Sequence, residues 1–478
     1  MTDVDQYVTE QLPLGAWRSL AVFALTLSLM MLATGAWTIN RGGDLDAPPA
    51  PWNVDGVFYD NIAVQLNQDA EFSVDFNRPQ WRSDYQDANT KPLHDQQYNW
   101  VLQYRGTGPT TMRSPGYPLA LAGVYRLFGH RFDAARIFGC LLVSLAMSML
   151  ATWIAQRWGV VACAIFCGTV ILDYSVMQAA GTIASESLAI FLLTCVFLAA
   201  VGAVGAAVGT VHAAGGEVGP VQKPSLLRWF LCGGLFAALL LTRGNWNLGL
   251  LIFLALSVLI LIPAIRKRIP SVEFRYVVTF FATVMVIAMP WWIRNCSLTG
   301  KFAPFGSAGP CGLAAAWCDD SLEDHGHWQP QVFNNMQRQV VDDMKGSGDQ
   351  LVPREVEMAR RSSQTAIAWC KSNWIDIPEL MFWRSLSHWG FFNPSVPATF
   401  HWLNVAMVAA GFIGCLFLTG RLRGLFTIVL LVDLAIVMLT WAHLGRYAIP
   451  IRPLIHLGLA LTICRFWYAV LKNTKLAD

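Results

Sequence analysis

Charge is what this sequence is short of. Only 14% of its 478 residues are Asp, Glu, Lys or Arg, against 55% hydrophobic residues, and the formal net charge is +3. No basic tract gathers that small excess, so nucleic-acid binding has no support. The 11 cysteines form no CxxC pair and no Cys/His spacing of the kind zinc requires, which leaves no metal site of that type. No internal repeat is evident, as the paired halves of many transporters would require. What the chain has in excess is apolar surface. Its mean hydropathy of +0.43 is too high for an ordinary soluble protein, and it reads as a membrane protein.

A helical span needs about 20 mainly apolar residues. Ten runs qualify: 19–38, 137–156, 158–177, 187–211, 226–242, 246–264, 276–293, 402–419, 424–442 and 454–471. The first runs into "TINRGGD" without a small-residue cleavage site and is expected to be an uncleaved anchor. The run after "PGYP" is only 14 residues long, 115–128, and is interrupted by Arg126; it reads as a re-entrant or interfacial helix. With that count, Arg157, Lys223, Arg228, Arg266, Lys267, Arg268, Arg275, Arg421, Arg423, Lys472 and Lys475 share one side. That side is expected to be cytoplasmic, with both termini.

The chain then divides into an N-terminal membrane module, 1–293, with a long external loop at 39–136; an external segment or lid, 294–401; and C-terminal spans, 402–478. In the second long segment, 332–374 predicts two amphipathic helices split by Gly and Pro. Cys311 and Cys318 lie there in a polar stretch, where they are either a disulfide or two free thiols. The inner connector 212–225 carries no sign of chemistry.

The polar residues without a plain explanation fall on the expected external side. In "NVDGVFYDNIAVQLN", Phe58, Ile62 and Leu66 recur at four-residue spacing, which predicts a short amphipathic helix over 56–67 along the membrane surface. Asp55 stands at its N-terminal end and shares a face with Tyr59; Asp60 falls on another face. The plain reading of Asp55 is a helix cap. The other is a carboxylate kept charged by the helix dipole and able to take a proton. In "MRSPGYPLALAGVYRLFG", Pro115 and Pro118 are expected to hold the chain extended up to 118, fixing Arg113 and Tyr117 at the surface. Glu186, Arg243, Arg294 and the pair Arg446 and Tyr447 each stand at a span end on the same side. One arginine there is ordinarily a snorkelling anchor, but several on the side that should be poor in arginine, together with one or two carboxylates, suit an anionic phosphate or pyrophosphate. Asp433 is the one deep acid and is read as structural, while Arg452 is read as an anchor.

The order of these groups resembles the membrane-embedded GT-C glycosyltransferases. It runs from Asp55 in a D-x-x-x-Y stretch through "PGYPLALAGVYRLFG", "AARIFG", "SESL", "LTRGN" and "PWWIRN" to "GRYAIPIRP". In pattern it is most similar to bacterial protein O-mannosyltransferase-like and lipid A aminoarabinose transferase-like enzymes, over 19–300 and 440–455. The resemblance implies an all-α polytopic GT-C fold with about ten transmembrane helices and interfacial helices in the first external loop. It implies transfer of a sugar from a polyprenyl phosphate carrier to a lipid, glycan or protein acceptor at the periplasmic face of the inner membrane, with inversion. Asp55 matches the acid that orients or deprotonates the acceptor, with Glu186 as a possible second acid. Arg113, Arg446 and Tyr447 match donor-phosphate residues. Arg243 and Arg294 join them by position, and Tyr59 and Tyr117 have positioning roles. No cofactor is required, though a divalent cation is compatible with two acids.

Two departures stand out: Gly56 after the acid, where a polar residue is common, and Gly244 where Pro is expected. A long polar insertion, 67–112, carries Asp84, Asp87, His94 and Asp95 and is expected to shape acceptor choice. The rival reading is a transporter or flippase for an anionic lipid or lipid-linked sugar, which calls for polar residues near the midplane of several spans.

Overall fold

A computed structural model describes residues 15–42, 45–49, 53–79, 81, 83, 107–206, 225–259, 274–344, 350–391, 398–418, 420–441 and 445–474. The acids and histidine of the polar insertion, the connector up to 224, Arg266 to Arg268 and His443 lie outside them.

Helix α1, Ala16–Gly42, packs along α4, Phe132–Ile171, with two shorter helices of the first connecting segment between them in sequence: α2, Val54–Gln68, and α3, Gly116–Phe128. A small antiparallel pair in the same segment joins β1, Ser73–Asp75, to β2, Thr107–Pro109, with Val74 opposite Gly108. Next come α5, Tyr174–Gly181; α6, Glu186–Ala206; α7, Leu226–Thr242; α8, Trp246–Leu259; and α9, Phe274–Thr299. The second long segment holds α10, Ala308–Ala316; α11, Pro330–Asp343; α12, Leu351–Ser372; and α13, Ile377–His388. The chain returns through α14, Ala398–Leu416, and α15, Gly420–Leu439, to a 3-10 turn, Arg446–Ile451, and α16, Arg452–Thr474.

Among the described residues six helices are long and apolar enough to cross a membrane: Ala16–Asn40, Phe132–Ile171, Glu186–Ala203, Phe274–Thr299, Leu422–Leu439 and Arg446–Trp467. Three shorter apolar helices, Leu226–Thr242, Trp246–Val258 and Trp402–Leu416, accompany them. The bundle core gathers Met147, Phe166, Phe197, Trp246, Phe426 and Leu457. Leu25, Leu32, Val286 and Leu431 instead point outward, exposed, a surface suited to lipid rather than water. The protein is an all-α polytopic membrane protein.

Several expectations need correction. The run 158–177 is not one helix. The backbone leaves helical geometry at Gly159 (φ 87°), resumes, and ends at Ile171 with Leu172 as C-cap. The Asp173 side chain accepts from the N–H groups of Ser175 and Val176 and starts α5, as a strong N-cap does. Pro118 does not hold back α3, which begins at Gly116; proline in a first turn forfeits an N–H that had no partner there. Nor does α2 lie with one polar face in water, because positions 56 to 65 are buried all round, with Asp60, Asn61 and Gln65 among them. Cys311 and Cys318 are both free thiols. The first donates to the Glu355 carbonyl and the second to that of Ala315, so they face different neighbours.

Candidate active site

Asp55 is not the cap of α2. Asn53 takes that position, its side-chain oxygen accepting from the Gly56 N–H at 3.2 Å while its amide donates to the Ile183 carbonyl. A Cβ at Gly56 would lie 2.5 Å from that same carbonyl. The departure at Gly56 is therefore a close approach of α2 to the chain just before α6, and it brings Asp55 next to Glu186.

Two arginines meet Asp55 there, and a third meets Glu186 beside it. Arg113, one turn before α3, places Nη2 3.0 Å from its Oδ1. Arg446, opening the 3-10 turn, places Nη1 2.7 Å from its Oδ2 and bonds Glu186 through Nε. Arg243, the C-cap of α7, holds Nη1 3.3 Å from Glu186 Oε1. Two carboxylates thus meet three guanidinium groups, an excess of one positive charge.

Two of the three cations also lie over an aromatic face. Arg113 lies over Phe58 at 4.8 Å and Arg243 over Tyr447 at 5.3 Å. Tyr59 and Tyr117 stand edge to face at 5.2 Å behind Asp55, and the Tyr447 hydroxyl accepts from Trp441 Nε1 at 2.6 Å.

Burial alone would raise the Asp55 carboxyl, but the fields of Arg113 and Arg446 override it and hold it well below the usual carboxylate range. Burial and the neighbouring Asp55 push the Tyr59 phenol upward, so it remains a neutral hydroxyl. The group is not sealed: the side chains of Arg446 and Asp55 are 31% and 23% exposed. Glu186 Oε2 and Arg113 Nε are buried without a hydrogen-bond partner. Chemically the arrangement is an accessible acid between cations whose charge is only partly used. Among the described residues no group of three His, Cys, Asp or Glu side chains is placed to hold a metal.

Arg294 is not brought into this group. It donates to the carbonyls of Thr110 at 3.1 Å and Phe72 at 2.7 Å and stacks on Trp291. Asp60 binds Trp81, Tyr125 and His130 on its own. Asp433 pairs with His388 at 2.6 Å, both buried. Arg452 meets Asp173 at 2.8 Å. Glu355 was not foreseen, yet the sequence signalled it: it falls among Leu351, Met358, Ser362 and Ala366 on the buried stripe of α12, where a carboxylate needs partners.

These features define a polytopic membrane protein with an accessible acid and arginine centre where helices from both halves of the chain converge. No family model matches the sequence, and no curated protein matches it. Among solved structures the chain is similar to ArnT from Cupriavidus metallidurans in the apo state, at 13% identity over 92% of this chain and 77% of that one, with a TM-score of 0.37. The same protein bound to undecaprenyl phosphate matches at 13% identity and a TM-score of 0.37, over 94% and 79%. Likeness at this level decides neither fold nor activity.

Proposed function

We propose that the chain is a glycosyltransferase of the GT-C type. It would move a sugar from a polyprenyl phosphate carrier to a hydroxyl or amine acceptor, with inversion, on the non-cytoplasmic face of the membrane. The observation that carries this reading is the net positive cluster of Arg113, Arg243 and Arg446 around Asp55 and Glu186. The order of sequence motifs and the placement of basic loops on the opposite side support it.

A phosphodiester donor brings one negative charge, matching the one unused positive charge. As the bond from C1 to the phosphate oxygen breaks, the electron pair stays on the phosphate, which gains a second charge. Fixed guanidinium groups therefore stabilise the departing state more than the bound donor. The acceptor oxygen or nitrogen forms the new bond to C1, and its proton passes to Asp55. A carboxylate held this far below its usual range is a weak base, so transfer calls for Arg113 and Arg446 to exchange Asp55 for the donor phosphate. Donor binding would thereby restore the basicity of Asp55, which favours donor before acceptor.

The test is transfer by the purified full-length protein in lipid nanodiscs, supplied with polyprenyl phosphate sugars and membrane-derived acceptors and read by mass spectrometry. Product formed by the wild type and lost in Asp55→Asn is the expected result. No product with any donor, together with lipid translocation in proteoliposomes, would overturn the reading in favour of a transporter.

A further inference from the structure

Arg113 sits on a stretch that no regular element holds. β2 ends at Pro109 and α3 begins at Gly116, yet Thr110, Thr111 and Met112 are 1%, 2% and 6% exposed. Their partners lie 184 to 245 residues further along the chain.

Glu355 of α12 accepts from Thr110 Oγ1 at 2.5 Å, from the Thr111 N–H at 2.8 Å and from Thr111 Oγ1 at 2.8 Å, and Ser307 Oγ adds a fourth donor at 3.2 Å. Arg294 donates to the Thr110 carbonyl, and the Ser307 N–H donates to the Thr111 carbonyl at 3.1 Å. Gly306, at φ +79°, lets the chain pass so close that a Cβ there would stand 2.2 Å from that same carbonyl. Met112 packs with Cys311, Val340 and Met358. The dipeptide before Met112 is thus bonded through both carbonyls, one N–H and both hydroxyls.

Among the described residues no cation stands within ion-pair distance of Glu355, which is itself 4% exposed. A buried carboxylate of this kind is tolerated only as the hub of several donors. Three of its four donors belong to Thr110 and Thr111, so the hub and the dipeptide define each other's position. A single bond would anchor a loop; bonds to both carboxylate oxygens, opposed by Arg294 on the carbonyl side, fix the stretch in several directions.

We propose that Glu355 is a positioning residue that acts through Arg113, with the second long segment forming the mould that aims this guanidinium at Asp55 and at the donor phosphate. The grip stands on the hydrogen bonds alone; what Arg113 binds rests on the sugar-transfer reading. Glu355→Gln keeps the shape but puts an NH2 where a carboxylate oxygen accepted, so that at least one of the four buried donors loses its acceptor. A displacement of about 1 Å at such a site is enough to cost a large factor in function.

Two measurements on the full-length protein in nanodiscs test this. The first is amide hydrogen exchange over 107–113 without ligand. Glu355→Gln should speed exchange at Thr111 by about tenfold or more while the spans exchange as before, and unchanged exchange there would overturn the grip. The second is binding of polyprenyl phosphate to the wild type, Glu355→Gln, Arg113→Ala and the double variant. Each single change should weaken binding about tenfold, the double should be no weaker than Arg113→Ala alone, and Glu355→Asp should recover part of the loss. Additive losses would overturn the route through Arg113. If the wild type binds no polyprenyl phosphate, the sugar-transfer reading falls while the exchange result still judges the grip.

Discussion

Arg446 and Arg452 flank one short 3-10 turn, and each meets an acid from far away in the chain. Their surroundings are opposite. Arg446 and Asp55 keep 31% and 23% of their side-chain surface and belong to a group with three guanidiniums for two carboxylates. Arg452 and Asp173 keep 6% and 2%. Around them His456 Nε2 lies 2.8 Å from the same carboxylate oxygen, and Arg452 also donates to Asn404 at 2.7 Å and to the Trp389 carbonyl at 3.2 Å. The inner pair ties α5, α14 and α16 together with one acid for its arginine. The outer group has access and a charge to spare. An acid and arginine pair can act as a binding site only in the second condition; in the first its worth is structural.

The sharpest way to break this comparison is to neutralise each acid in turn. Asp55→Asn should lower the transfer rate about 1000-fold, the range of a lost general base, with thermal unfolding of the purified protein unchanged. Full transfer by this variant would remove Asp55 from the chemistry. Asp173→Asn should do the reverse. Leaving Arg452 buried without its acid costs on the order of 3–5 kcal/mol, seen as a lower unfolding temperature, while activity per folded molecule stays within about twofold of wild type by the same token.

The pH dependence follows from the sign of the shift. Burial would raise the Asp173 carboxyl, but Arg452 and His456 override it and hold it well below its usual range. A depressed folded-state value means the stabilisation is present above the unfolded value of about 4 and is lost as the pH falls below it. The gap in unfolding temperature between wild type and Asp173→Asn should therefore be level from pH 8 to 5 and narrow below about 4. A gap that closes between pH 7 and 5 would assign the stabilisation to a different group.

Arg446→Ala comes next. Removing one of the three cations should raise the donor KM by about 10- to 30-fold, the value of a charge-assisted contact, with the acceptor KM unchanged. A change confined to the acceptor would move Arg446 to the other side of the reaction.

How much of this was legible depends on distance along the chain. Most apolar helices were, because a run of 20 apolar residues is a local property, and so were α11 and α12, from their periodicity; the division into ten spans was not, since the run 158–177 breaks at Gly159 and ends at Ile171. Asp55, Glu186, Arg113 and Arg446 could be singled out because each broke a local rule about where charge sits near a membrane. Their pairing could not, since Asp55 and Arg446 are nearly 400 residues apart and only the bundle brings them together. Arg294 shows the limit: by pattern it matched its neighbours, but two backbone carbonyls already occupy its guanidinium. Glu355 shows the opposite error, a carboxylate on an apolar helix face whose demand for partners was visible in its spacing. The Asn53 cap went unseen because an acid two residues on looked like a better one.

Tyr447→Phe should have the smallest effect, and it tests whether the hydroxyl belongs to the outer group or only supports it. In the structure that hydroxyl accepts from Trp441 Nε1 at 2.6 Å, and the ring carries Arg243 at 5.3 Å from its centre. Phe keeps the ring and the cation contact and leaves one partly buried N–H without its acceptor, so the donor KM should rise only about two- to fivefold. Tyr447→Leu removes the ring as well and should cost several times more, because Arg243 then loses the face that holds it toward Glu186. If Phe costs as much as Arg446→Ala, the hydroxyl itself contacts the donor. If Phe and Leu are equal, the ring does nothing for Arg243, and the outer group is organised by its ion pairs alone.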